Sequence, residues 1–251
     1  MKHKPSSGPF IPIFHQKEVT STMDQARVLI KKTLPPFAVY ADTQTVGRGR
    51  WGRLWHDQSR GHPPNLMVTF VLHKNQLNDK IISDLCAKLA LCVPVSLMLF
   101  LKDSGRVCQI KWPNDVLFKG AKAGGVLIEM DDCHVFIGVG LNTLFSPTGL
   151  SQNVTHLDLN IERTFLIQKI YTGIMAQAKR DLAALIATWR CYSFLKLGDK
   201  IAISNTNGVQ LHAKYIDIDS KGFLLYKDPN GRDTKTNTGD VIVINSKEFE
   251  I

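Results

Sequence analysis

The sequence is poor in the arrangements that many enzymes use as nucleophiles or metal ligands. Its five cysteines, Cys86, Cys92, Cys108, Cys133 and Cys191, are an odd number without a CxxC pair, so neither a disulfide frame nor a thiolate metal site is expected. Reduced thiols, all but Cys133 in apolar surroundings, suit a cytoplasmic protein. The eight histidines form no HExxH or HxH spacing, and no GxSxG or GxxxxGK[ST] run occurs. Zinc hydrolysis, serine-hydrolase elbows and Walker-type ATPases therefore lose their signatures, and no metal ligands are assigned. The N-terminal MKHKPSSGPFIPIF lacks the apolar run of a signal peptide, and no uninterrupted apolar stretch reads as long enough to cross a bilayer. Acidic groups are also scarce, 22 against 31 Lys and Arg, for a net charge of +9. The imbalance is uneven: residues 1 to 60 carry 10 basic and 4 acidic groups, whereas residues 191 to 251 carry 8 of each. A basic first quarter suits an anionic partner, whether nucleic acid, nucleotide or acidic protein surface.

What the chain does have is concentrated in residues 43 to 61, TQTVGRGRWGRLWHDQSRG, with four arginines, four glycines and two tryptophans and no helical or strand period. Gly47, Gly49 and Gly52 would let the backbone approach a ligand through positive φ. Arg48, Arg50 and Arg53 offer planar donor forks for phosphate or carboxylate, and Trp51 and Trp55 offer flat apolar surface. Gly47 to Gly52 also matches GxGxxG, but a dinucleotide fingerprint needs a helix directly after the glycines, and Arg53 to Pro64 holds Asp57, Ser59, Gly61 and a Pro pair instead. Three clustered cations with little prospect of burial imply a loop that is mobile until an anion orders it.

With 251 residues, 44% of them hydrophobic, the chain has enough apolar material for a core without staples, in one or two domains. Ser21 to Asp24 reads as a capping box opening a helix that ends before Pro35-Pro36. Phe37 to Ala41 and Asn65 to Leu72 read as strands clamping the arginine loop. Apolar residues at three- and four-residue steps predict helices over 79 to 102, disturbed by Pro94, and over 162 to 189. Val107 to Trp112, Val116 to Phe118, Val126 to Met130 and Val135 to Leu141 are strands between them. In the last, Gly138 and Gly140 share one face and leave room for a ligand or a packed helix. Short period-two strands from Leu197 onward, Lys200 to Ser204, Gln210 to Asp217, Gly222 to Tyr226 and Asp240 to Ile244, predict a small all-β barrel. The domains are therefore set at 1–194 and 195–251.

Lys111-Trp112-Pro113-Asn114-Asp115 would hold the Asn114 amide and the Asp115 carboxylate on a tight turn at a sheet edge. Lys122 follows on a basic tip. A site of cations, glycines and indoles with one carboxylate and no nucleophile suits activation of a carboxylate by ATP, where the protein positions the groups and stabilises charge.

Taken in order and spacing, Ser21-Thr22-Met23, Gly47 to Trp55, Lys111 to Asp115, Lys122 to Glu129 and Gly138 to Asn142 resemble the motif set of biotin protein ligases, also called biotin–[acetyl-CoA-carboxylase] ligases. The resemblance runs from about Glu18 to the C-terminus. It implies an α+β fold, a central mixed β-sheet flanked by helices and followed by a small SH3-like β-barrel, and a two-step reaction. Biotin and MgATP give biotinyl-5'-adenylate, which a lysine of an acidic biotin carboxyl carrier protein domain then attacks. By resemblance, Ser21, Thr22, Met23 and Gln44 hold the biotin head group, with Arg48 and Gly49 in the closing loop. Arg50 stabilises the adenylate phosphate, and Lys122 meets the biotin carboxylate and the α-phosphate. Asp115 orients or deprotonates the acceptor lysine, Trp55 stacks on adenine, and Asn114 and Asn142 lie near the nucleotide.

Met23, Trp51 and Gly124 depart from the family's usual residues. Only twenty residues precede the first motif, so the form expected is ligase-only, without an N-terminal helix-turn-helix; a homodimer is left open. Lipoate or octanoate protein ligase is the nearest alternative, although its RRxxGGG-type loop is absent. A basic nucleic-acid-binding module is the other, weakened by the charge-neutral C-terminal segment.

Overall fold

The computed structural model describes residues 10–56, 65–77, 82–149, 153–204 and 209–244. Residues 57–64, the expected helix start at 79–81 and the expected Asn207-Gly208 turn thus lie outside the described residues. The chain begins with β1 (Ile13–Val19), a strand the sequence reading missed because its half-exposed residues show little alternation. Ser21 starts α1 (Thr22–Leu29) as N-cap, its hydroxyl accepting from the Met23 N–H at 3.2 Å. The expected capping box is only half made, because the Asp24 carboxylate faces Arg48 at 3.0 Å.

There follow β2 (Phe37–Gln44), the two-residue strands β3 (Gly47–Arg48) and β4 (Leu54–Trp55), β5 (Leu66–His73), α2 (Ile82–Asp103), β6 (Cys108–Lys111), β7 (Asp115–Phe118), β8 (Ala121–Met130) and β9 (His134–Leu141). They build a seven-stranded mixed sheet in the order β1-β2-β5-β9-β8-β7-β6, parallel only between β1 and β2. The fold is therefore α+β around a central mixed sheet flanked by helices.

Period-two alternation gives the sheet two apolar faces. One, with Ala38, Phe70 and Ile137, joins the main core beneath α2, including the fully buried Leu89, Leu97 and Leu101. The stretch Leu85–Asp103 is long and apolar enough to cross a membrane, contrary to the sequence reading, but here it is the central core helix with Pro94 inside it. The other face carries Phe37, Val39, Val71 and Phe136, covered by Met23, Ala26 and Leu29 of α1.

The helix expected over 162 to 189 is two, α3 (Arg163–Ala178) and α4 (Leu182–Tyr192), because Asp181 takes an extended conformation and caps the second by accepting from the Ala184 N–H at 2.8 Å. The C-terminal strands are β10 (Lys200–Ser204), β11 (Gln210–Ile218), β12 (Leu224–Lys227), β13 (Asp233–Thr236), which the sequence reading missed, and β14 (Asp240–Val243). They form an antiparallel sheet in the order β13-β12-β11-β10-β14. Among the described residues its edges β13 and β14 do not pair, so it is an open sheet and not a closed barrel. It is nonetheless curled: four strand gaps of about 4.8 Å would set flat edges roughly 19 Å apart, beyond the roughly 15 Å that the 237–239 link reaches. Trp112 docks the β6-β7 turn on this sheet, its indole N–H donating to the Gly222 carbonyl at 3.0 Å.

All five cysteines are free. Cys86 and Cys191 are exposed, not in apolar surroundings as expected, while burial pushes the Cys108 thiol up to about 11.

At the β1-β2 edge Asp42 accepts from Arg163 at 2.6 Å and meets His15 at 2.8 Å. Burial alone would raise this carboxyl, but the hydrogen bonds and charges of Arg163 and His15 outweigh it and hold it below its ordinary range. A depressed folded-state carboxyl contributes stability that is present above its unfolded pKa, about 3.9, and is lost as pH falls through the folded value. Asp42→Asn should therefore flatten the acid limb of the stability profile below about pH 4, read by denaturant midpoints at several pH values.

Candidate active site

The α1 face of the sheet turns into a cavity where its side chains stop. Along β9 the inward positions run Phe136, Gly138, Gly140, and β5 offers Val71, Thr69 and Met67 opposite them. Phe136 is covered by α1, but past it the glycines leave bare backbone. Over Gly138 lies Met23, whose Cε would be 3.0 Å from an added Cβ; over Gly140 lies the Trp55 indole, 2.7 Å from one. The space left is a cavity of about 1180 Å³ lined by every residue assigned above: Ser21, Thr22, Met23, Gln44, Arg48, Gly49, Arg50, Trp55, Asn114, Asp115, Lys122 and Asn142. Ligand pockets commonly measure roughly 300–1,000 Å³, so this one lies above the usual range.

One wall is neutral and polar. The fully buried Thr69 hydroxyl donates to Thr22 Oγ1 at 3.0 Å, and Thr22 donates from both its hydroxyl, at 3.0 Å, and its backbone N–H, at 2.7 Å, to Gln44 Oε1. With Oε1 committed twice, the Gln44 amide is fixed with Nε2 beside Gly47. Sequence reasoning missed Thr69, which reads there only as one polar residue in an apolar strand.

The arginine loop is a tight hairpin. Gly47 pairs with Trp55 and Arg48 with Leu54, and the Gly49 N–H donates to the Arg53 carbonyl at 2.7 Å. Of its residues, Gly52 and, unexpectedly, Trp51 take positive φ, at 72° and 57°. Gly49 is extended at φ −110°; Gly47 is needed for space, since a Cβ there would lie 2.5 Å from the Trp55 carbonyl. The cations are not left to repel one another, as the sequence reading assumed. Arg48 meets Asp24 at 3.0 Å and Glu129 at 3.3 Å, and Glu129 also holds Arg27 at 2.6 Å. Arg50 and Arg53 both reach Asp240 on β14, and both guanidinium groups lie over the Trp51 ring, at 4.6 and 5.0 Å. Trp51 thus replaces a cation with a surface on which its neighbours stack. Burial draws the Arg50 guanidinium below its ordinary range, with Asp240 and Asp115 pulling the other way.

On the opposite side, Asn114 is more than an Asx turn. Its amide donates to the Val126 carbonyl at 2.7 Å, and the Val126 N–H returns to the Asn114 carbonyl at 3.0 Å, pinning the β6-β7 turn to β8. Lys122 Nζ stands 2.8 Å from Asp115 Oδ1 and 5.8 Å from the Trp55 ring centroid. Its backbone is held by Asn153 and Thr155, which fixes the lysine from outside. Gly124 has no room for a side chain, as a Cβ would lie 2.5 Å from Leu141 Cδ2. Asn142 is buried and donates to the Thr155 carbonyl at 3.0 Å, so its amide serves the 153–155 segment.

Because Trp55 rests on the bare Gly140 backbone, Gly140→Val should displace the indole. The displacement should appear as a shift in tryptophan emission relative to the parent, and unchanged emission would argue against the contact.

Residues 13–142 match the model of the biotin/lipoate A/B protein ligase family. The bifunctional ligase/repressor BirA of Bacillus spizizenii is 28% identical over 241 residues, covering 87% of this chain and 70% of that protein. The biotin–[acetyl-CoA-carboxylase] ligase of Mycobacterium tuberculosis is 28% identical over 209 residues, covering 80% and 77%. Among solved structures, the biotin protein ligase from Aquifex aeolicus in complex with biotin and ATP superposes with a TM-score of 0.73 at 24% identity, covering 94% of this chain and 100% of that one.

Proposed function

The chain belongs to the biotin/lipoate A/B protein ligase family, and from that premise we propose that it is an ATP-dependent biotin protein ligase. It joins biotin to ATP as biotinyl-5'-adenylate and passes the biotinyl group to a lysine of a biotin carboxyl carrier protein domain. The observation that carries the reading is the single cavity in which the buried Thr22–Gln44–Thr69 wall and the Lys122, Arg50 and Trp55 set meet. The wall favours biotin over a lipoyl group. Its hydroxyls and amide, though already bonded to one another, can exchange hydrogen bonds with a ureido ring and have nothing to exchange with a dithiolane.

In the first step a biotin carboxylate oxygen attacks the α-phosphorus and pyrophosphate leaves. Lys122 bridges the two reacting groups, and Arg50 offers its fork to the phosphate, so both cations meet charge that grows in the transition state. Trp55 supplies the adenine platform, with Asn114 and Asn142 beside the nucleotide, and Arg48 and Gly49 close over the biotin. In the second step the acceptor amine attacks the acyl carbon, AMP leaves, and Asp115 orients the amine or takes its proton. Among the described residues no cluster of His, Cys, Asp or Glu fits a resident metal, and the cavity carboxylates Asp115 and Asp240 are paired with cations; Mg2+ is taken as part of the ATP substrate. The curled C-terminal sheet is read as SH3-like, and five unpaired cysteines suit a cytoplasmic setting.

Biotin-dependent ATP–pyrophosphate exchange tests the proposal. Exchange with octanoate or lipoate and none with biotin would assign the chain to the other branch of the family, and no exchange with either would overturn it.

A further inference from the structure

The C-terminal sheet lines the cavity with Ser204 and with Asp240 to Val243, and Asp240 is the carboxylate among them. Asp240 opens β14, far along the chain from the arginine loop, yet its Oδ1 lies 3.3 Å from Arg50 NH1 and its Oδ2 pairs with Arg53 NH1. The Gly239 carbonyl accepts from the same Arg50 nitrogen at 3.1 Å, and Asn114 Oδ1 stands 3.4 Å from it. Gly239 is at φ +136° and a Cβ there would sit 2.9 Å from Ile203 Cγ2, so the chain enters β14 by a path suited to glycine. That path sets the 239 carbonyl and the 240 carboxylate side by side.

Two features decide what this contact does. Among the described residues, every hydrogen bond of Arg50 leaves from NH1, so the Nε–H and NH2 edge of the fork remains for an anion. Arg53 offsets the charge of Asp240, so the two arginines and one carboxylate keep a net positive charge toward an incoming phosphate. Asp240 therefore holds the guanidinium without competing for it.

We infer that Asp240 is a positioning residue for Arg50, so that the C-terminal sheet presets the loop cation that grips the adenylate phosphate. The inference rests on the ligase reading above and gives the C-terminal sheet a part in retaining the intermediate. The geometry is that of a guanidinium held at one end and open at the other, a preset that spares the loop the ordering cost at the moment of binding.

The test uses the full chain with Asp240→Asn and Asp240→Glu. Asparagine keeps the shape and loses the charge; it should raise KM for ATP and the rate of biotinyl-adenylate release by about tenfold, with KM for biotin within about twofold of the parent. Glutamate should restore most of the loss. The same Asn change placed on Arg50→Gly should add nothing to the release rate, because a residue acting through Arg50 has nothing left to act on. Parental KM for ATP and parental release in a folded Asp240→Asn variant would overturn the inference, as would a further loss on top of Arg50→Gly. A parent without biotin-dependent exchange would instead overturn the ligase reading itself.

Discussion

Replacing Lys122 with Gln or Ala is expected to slow biotin adenylation by about two orders of magnitude or more while weakening biotin binding far less. The role proposed for the lysine is in the transition state. Its side chain is 24% exposed and its partner Asp115 18%, so both charges sit in a partly desolvated wall where electrostatic effects exceed those in water. In the ligand-free chain Asp115 already satisfies the ammonium, so a substrate carboxylate gains modestly by meeting it. As the phosphorus takes on its fifth oxygen, negative charge accumulates beside Lys122, and the interaction grows where the ground-state one does not. Gln keeps hydrogen bonding and most of the length but not the charge, so a deficit shared by Gln and Ala isolates the charge. Single-turnover formation of adenylate, set against calorimetric biotin affinity, separates the two effects. A Lys122→Gln variant that adenylates at the parental rate would remove Lys122 from the chemistry.

The parts of this site that were legible in the sequence are those whose meaning is local. The glycines and arginines of 47 to 53, the Trp112 to Asp115 turn, Lys122 and the Gly138–Gly140 pair each announce themselves by spacing within a few residues. What was not legible is what holds them. In sequence Asp24 reads as a capping residue and Glu129 and Asp240 as strand residues, and only the fold sets them against Arg48, Arg50 and Arg53. A loop judged mobile from its like charges is, in the folded chain, cross-linked to α1, β8 and β14. The same limit explains Thr69, whose hydroxyl matters only because β5 lies opposite α1 and β2. In the fold, the central sheet was readable from apolar runs and turns. The break at 179–181 was not, since Lys179, Arg180 and Asp181 fit a helix surface as well as a cap. Nor was β1, which gains its place by pairing with β2 and not by its own pattern.

Substituting Gly for Arg50 should leave adenylate formation measurable but make the ligase indiscriminate. Arg50 is tied to Asn114, Gly239 and Asp240, none of which belongs to the Thr22–Gln44–Thr69 wall, so its loss leaves the biotin head-group pocket standing. What goes is the guanidinium edge proposed to meet the phosphate, together with the bridge that fastens the loop to the C-terminal sheet; among the described residues Arg53 would then hold Asp240. Losing a charge-assisted phosphate contact of about 1.5–3 kcal/mol lets the adenylate leave on the order of ten to a hundred times faster. A mixed anhydride free in solution acylates whichever exposed amine it meets, so acceptor choice is lost even though the acceptor surface is unaltered. A mixed lysate incubated with Arg50→Gly, biotin and ATP and probed with streptavidin should show many bands where the parent shows one or a few, and added free amine should compete for the label. If a variant that demonstrably makes adenylate still labels only the natural acceptor, the intermediate is retained without Arg50, and the closing role passes to Arg48 or Arg53.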